Sequence, residues 1–271
     1  IAIGKNANRG GYYTTNGTPY SRIAIGENAL SNSGYFISTT AIGIGYSALR
    51  GNTGLRTIAI GDHSIDGGAA ATSSSGQDLI AIGNEVLRDP SNASGMNIGI
   101  GNRVMTNIQN GSSNVAIGHW AAYNLDNGNG NTILGNNAFN SGAGDNNVGI
   151  GSGVHASASY MSTNNVLIGA DCAAYSGYLE GCVFIGRNVG NSISVFDDTY
   201  DLLMIDNSST PDPLIYGDFA TNYLKVNGSL ESSRPWTVPQ SNFRVSNTTN
   251  SAFFGHYMVA SGSYNPINAG N

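Results

Sequence analysis

Between residue 1 and residue 186 the chain writes eleven variants of one short phrase, Val/Ile-Ala/Gly-Ile-Gly-x-x-Ala/Val. Recurrence at this density specifies a solenoid, because each copy is one small unit that covers its apolar side only by stacking on its neighbours. The copies close on Gly4, Gly26, Gly45, Gly61, Gly83, Gly101, Gly118, Gly135, Gly151, Gly169 and Gly186. The shortest intervals between these glycines set a core coil of about 16 residues, and longer intervals place insertions on loops. These glycines are the expected structural turns of the repeat, through positive φ or close backbone packing.

Charged residues make up only 10% of the chain and glycine contributes 38 positions, so long helices are disfavoured and short strands with tight turns are expected. The fold class is therefore all-β. Eleven Lys and Arg, scattered, with a formal charge of -6, speak against a nucleic-acid groove. No apolar run approaches the roughly 18 residues of a membrane helix, so no membrane insertion of this segment is expected. The chain opens on Ile1, inside a repeat, which reads as a fragment or a processed product.

In an extended segment, side chains alternate between faces. The first and third positions, as in Ile80 and Ile82, are expected to face the core of their own coil, in a coil of two short strands and two turns. The second position is Ala or Gly in eight copies and Ile133, Leu167 or Phe184 in the others, never polar. A strand apolar on both sides is expected to be buried on both sides. Small residues on the outer side would admit another backbone, so a homotrimer packed through that side is the expected partner arrangement. An asparagine precedes the strand at Asn97, Asn114, Asn131, Asn147 and Asn165, where its amide can satisfy turn backbone or stack on the next coil.

The pattern Asn-x-Val-Ala-Ile-Gly-x-x-Ala resembles the head repeat of trimeric autotransporter adhesins, which also recurs in bacteriophage tail fibres and tailspikes. The resemblance covers residues 1–190 and implies a left-handed parallel β-roll solenoid, homotrimeric, displayed outside the cell. The adhesin repeat is shorter and more regular, so the coils here carry larger loops.

Beyond Val189 the phrase stops, and residues 191–231 read as a small β-rich C-terminal capping region. Its expected strands lie in Leu202–Asn207, Pro211–Phe219 and Tyr223–Leu230. Residues 232–271 form a β-rich or irregular segment without a clear period.

Chemistry is sparse. His63, His119, His155 and His256 share no metal or nucleophile spacing and read as exposed or interface histidines. Cys172 and Cys182 fit buried thiols or a disulfide equally well. The Gly-x-Gly strings open no helix, so no cofactor is expected. The acids Asp197, Asp198, Asp201, Asp206, Asp212 and Asp218 lie among turn residues, so no catalytic pair is assigned and the chain is not expected to be an enzyme. The candidate receptor contacts are loop aromatics: Tyr12, Tyr13 and Tyr20, then Tyr35 and Phe36, then His119, Trp120 and Tyr123, whose rings can stack on sugars or fill protein interfaces.

The expected function is a receptor-binding or adhesive domain of a bacteriophage tail fibre or tailspike. It would attach a virion to a bacterial surface glycan or surface protein and join other tail components. The alternatives are a bacterial trimeric adhesin head, a polysaccharide-degrading tailspike and a structural spacer.

Overall fold

The computed structural model describes residues 1–9, 21–31, 40–51, 56–67, 77–88, 95–142, 144–156, 162–193 and 198–228. Each copy of the phrase supplies one strand: β1 (Ala2–Ile3), β2 (Ser21–Ile25), β3 (Thr40–Ile44), β4 (Thr57–Ile60), β5 (Ile80–Asn84) and β6 (Ile98–Asn102). They continue as β7 (Val115–His119), β8 (Thr132–Leu134), β9 (Val148–Ile150), β10 (Val166–Ile168) and, after the short β11 (Leu179–Glu180), β12 (Val183–Ile185). Consecutive repeat strands pair in parallel with identical positions in register, as in Ile98↔Val115 and Ile100↔Ile117. The protein is an all-β parallel solenoid, with no helix among the described residues.

The stack outlasts the sequence phrase. After β13 (Thr199–Tyr200), which pairs with β11, strand β14 (Leu202–Ile205) lies parallel on β12, with Leu203 opposite Val183 and Ile205 opposite Ile185. Only then does the chain reverse, into β15 (Ile215–Asp218) and β16 (Tyr223–Val226), an antiparallel hairpin that ends the sheet. Ile1–Asn227 forms one compact unit. The sequence segment 232–271 lies outside the described residues.

The strand faces are opposite to the sequence expectation. The second position is the one turned into the coil: Ala59, Ala81, Ala116, Ile133, Leu167 and Phe184 are all wholly buried. The Ile/Val positions face outward, and Ile82, Ile117 and Ile150 are each 37% exposed. The reason is the thinness of the coil. A Cβ on Gly99 would meet the side chains of Val86, Val104 and Met105, and one on Gly149 would run into the ring of Phe139. The facing walls are so close that small residues are needed on one side wherever the other is large. Phe184 reverses the arrangement, with its ring lying against Gly190 of the opposite wall.

The opposite wall is not a second strand. The residues two and four places after each repeat glycine have left-handed backbones, for example Glu85 (φ 52) and Leu87 (φ 50), Arg103 (φ 53) and Met105 (φ 47). This conformation disfavours non-glycine residues. It persists because it aims backbone N–H groups at both neighbouring coils: Glu85 donates back to the Asp62 carbonyl and Leu87 forward to that of Val104, each at 2.9 Å. The larger side chains of this wall, Leu87, Met105 and Phe139, fill the core.

The repeat glycines form the corner. Gly101 has φ +139, and a Cβ there would land on the Gly118 carbonyl oxygen of the next coil. No other residue fits the stacking distance. At the strand entry, the buried asparagines do both things open to them. Asn131 donates through Nδ2 to Asn114 Oδ1 (3.0 Å) and to the Gly144 carbonyl (2.8 Å), and its Oδ1 accepts from the Asn147 N–H (2.9 Å). The ladder runs from Asn97 to Asn165 and ends on the N–H of Cys182.

Candidate functional site

The two walls give the solenoid two unlike surfaces. On the strand wall, the outward Ile/Val pairs stack in register into two parallel aliphatic columns. Such a strip leaves a wide apolar surface bare on a single chain. The left-handed wall instead turns polar and aromatic side chains outward. Coil-to-coil contacts there include Asn102 Nδ2 to Asn84 Oδ1 (3.1 Å), Arg103 to Glu85 (2.9 Å) and Lys5 to Glu27 (3.7 Å).

His119 and Trp120 stand on this polar wall, one and two residues past Gly118. Trp120 has a left-handed backbone (φ 56), with its N–H bonded to the Asn102 carbonyl at 2.9 Å. The two rings stack at 4.5 Å with an interplanar angle of 22°. The amide of Asn136, from the next coil, lies 3.1 Å from His119 Nδ1. Trp120 Nε1 is buried without a hydrogen-bond partner among the described residues. The structure therefore brings His119 and Trp120 together. Tyr123 is half-buried, and its ring stacks on neither. Tyr12, Tyr13, Tyr20, Tyr35 and Phe36 lie outside the described residues.

A second aromatic pair was not singled out in the sequence. Tyr178, just before β11, and Tyr200, the last residue of β13, have their rings 5.9 Å apart. The Tyr178 hydroxyl donates to Glu180 (3.1 Å) and that of Tyr200 to Asp198 (3.5 Å). Desolvation, followed by the Asp198 charge, raises the Tyr200 phenol above its ordinary pKa. The two tyrosines sit 22 positions apart across an insertion, so no repeat position announces them.

His155, His63 and the two cysteines serve the scaffold. His155 is wholly buried within its own chain, a correction to the exposed or interface position expected of it, because its ring occupies the core position beside Phe139. Its Nδ1 faces the Ala173 carbonyl (3.2 Å), an obligate acceptor, so Nδ1 carries the proton and Nε2 accepts from Ser162 (2.8 Å). Burial lowers its pKa to about 4. His63 instead pairs with Asp66 (2.6 Å), which Arg50 also grips at 2.9 and 3.0 Å. Cys172 and Cys182 are both free and buried, and burial pushes the Cys172 thiol up to about 12. A thiol so protonated is a poor nucleophile.

Of the acids weighed in the sequence, Asp206 and Asp218 accept backbone N–H groups in turns and Asp212 pairs with Lys225 at 3.3 Å. Asp197 lies outside the described residues. Among the described residues no group of three or more His, Cys, Asp or Glu side chains is placed to hold a metal, and no helix is long and apolar enough to cross a membrane.

No protein family, curated protein or solved structure matches this chain.

Proposed function

We propose that this chain is a receptor-binding or adhesive rod, the attachment segment of a bacteriophage tail fibre or tailspike. It works outside the cell as a left-handed, homotrimeric β-roll. The observation that carries the reading is the division of one regular rod into an aliphatic strip and a polar wall bearing the stacked His119–Trp120 pair. The strip suits packing of copies on one another, and the polar wall suits display. The resemblance of the repeat to adhesin heads supports the trimer and the surface role.

The mechanism is multivalent contact. Three copies hold identical polar walls at fixed spacing, so weak contacts to a bacterial surface glycan add through raised effective concentration. The stiff roll lowers the ordering cost of binding. Aromatic rings beside asparagine amides offer a sugar both an apolar face to stack on and groups to hydrogen-bond.

Light scattering of the intact chain should give three times the 28.0 kDa of one copy. On an array of bacterial surface glycans, Trp120→Ala should weaken the strongest binding by about tenfold or more, through loss of a contact present in each copy. Unchanged glycan binding by this variant would remove the His119–Trp120 pair from the proposed contact surface. A chain that binds no glycan and no surface protein would favour the spacer.

A further inference from the structure

The aliphatic strip does not stop where the parallel solenoid stops. Along β12 its two columns are occupied by Val183 and Ile185, and on β14 by Leu203 and Ile205. The chain then reverses direction, yet the antiparallel register sets Gly217 opposite Leu203 and Ile215 opposite Ile205. One strand further, Leu224 lies opposite Gly217 and Val226 opposite Ile215. Residues directly paired across strands point to the same side of a sheet. Leu224 and Val226 therefore continue the two outward columns.

The other side of the hairpin has a different character. Tyr216 packs against the solenoid core, and Lys225 is tied to Asp212 at 3.3 Å. A hairpin that served only to close the end of the roll would be expected to turn its aliphatic residues onto the core. On β16 the two aliphatic residues lie on the strip side instead, with Leu224 64% and Val226 38% exposed, while Tyr223 shares the other side with Tyr216 and Lys225.

We infer that the β15–β16 hairpin is part of the surface through which copies of this chain pack on one another, and that Leu224 and Val226 are contact residues of that surface. The inference rests on the self-association proposed above. A second copy is the fitting occupant because the strip is one two-residue unit repeated at a spacing of about 4.8 Å, which an identical strip matches in pitch and length. Over the fourteen strands of the sheet the strip spans roughly 60 Å, and at about 10 Å across it approaches the ~800 Å² per partner of a stable interface.

The test compares the intact chain with the double variant Leu224→Asp/Val226→Asp and with the control Lys225→Gln, by light scattering across a dilution series. The double variant should dissociate at a concentration at least ten times higher than the parent, with an unchanged circular dichroism spectrum, and the control should match the parent. A trimeric parent and a double variant that dissociates at the same concentration would overturn the inference alone. A monomeric parent would overturn the self-association reading and this inference with it.

Should the double variant fail to fold, single Leu224→Cys and Lys225→Cys chains treated with a short bismaleimide give a second readout, since Cys172 and Cys182 are buried. Covalent dimers from the Leu224→Cys chain and none from the Lys225→Cys chain are expected. Equal yields from the two, or no product from either, would overturn the placement of Leu224 at the contact.

Discussion

The strand wall and the left-handed wall enclose the same core by different means. The strand wall uses ordinary extended backbone and makes its tight approach with small side chains, Ala81, Gly99 and Ala116. The opposite wall accepts unfavourable φ values at Leu87, Met105 and Phe139 and supplies the large side chains. A coil this thin holds one layer of bulk, supplied by the left-handed wall at Leu87, Met105 and Phe139 and by the strand wall at Leu167 and Phe184. The outward surfaces diverge in consequence. A ladder of identical strands repeats its Ile/Val pairs into an apolar strip, whereas the opposite wall presents different polar residues coil by coil.

The contrast is broken most severely at the corner that joins the walls. Gly101→Ala sets a methyl against the Gly118 carbonyl oxygen at a positive φ, and should destabilise the chain by at least ~4 kcal/mol. Thermal unfolding followed by circular dichroism checks it, and a melting temperature within a few degrees of the parent would contradict the stacking geometry.

A smaller effect comes from His155, whose imidazole the left-handed wall turns fully into the core. Its pKa falls from 6.5 to about 4 on folding, so the unfolded chain binds the proton more tightly and folding stability is lost as pH falls from about 6.5 toward 4. The full loss from this group amounts to about 3 kcal/mol. Urea unfolding at pH 7.5 and pH 4.5 should show this drop in the parent and a correspondingly smaller one in His155→Gln.

The smallest effect should have the opposite sign. Ser47 has φ 56 on the left-handed wall, and its buried hydroxyl has no hydrogen-bond partner among the described residues. Ser47→Gly relieves both penalties and should stabilise the chain by about 1 kcal/mol. Glycine would thus be favoured on one wall at a position where the sequence places serine, while alanine is excluded from the corner. A destabilised Ser47→Gly would mean that the left-handed backbone is no burden at that site.

The solenoid and its parallel register were legible because position recurs: Gly83, Gly101 and Gly118 each stand at the same place in a coil, and Asn114 and Asn131 each precede a strand. The inward and outward faces were not. Alternation states that Ile80 and Ile82 share a side and that Ala81 takes the other, but both sides are apolar, so no polarity marks the solvent. The left-handed wall was hidden too, since Leu87 or Met105 four places past a glycine reads equally as the start of a strand. Of the aromatic candidates, His119 and Trp120 are adjacent in sequence and stack, whereas Tyr178 and Tyr200 meet only because β11 pairs with β13.

By itself, then, the sequence determined the repeat, the all-β class and the corner glycines, all of which follow from residue type at fixed spacing. The tertiary structure decided which side of each strand is inside and that the outward columns run on through Leu224 and Val226. Those outcomes depend on how much bulk the opposite wall brings to the same space and on which strands pair across the chain reversal, distances that spacing along one chain does not contain.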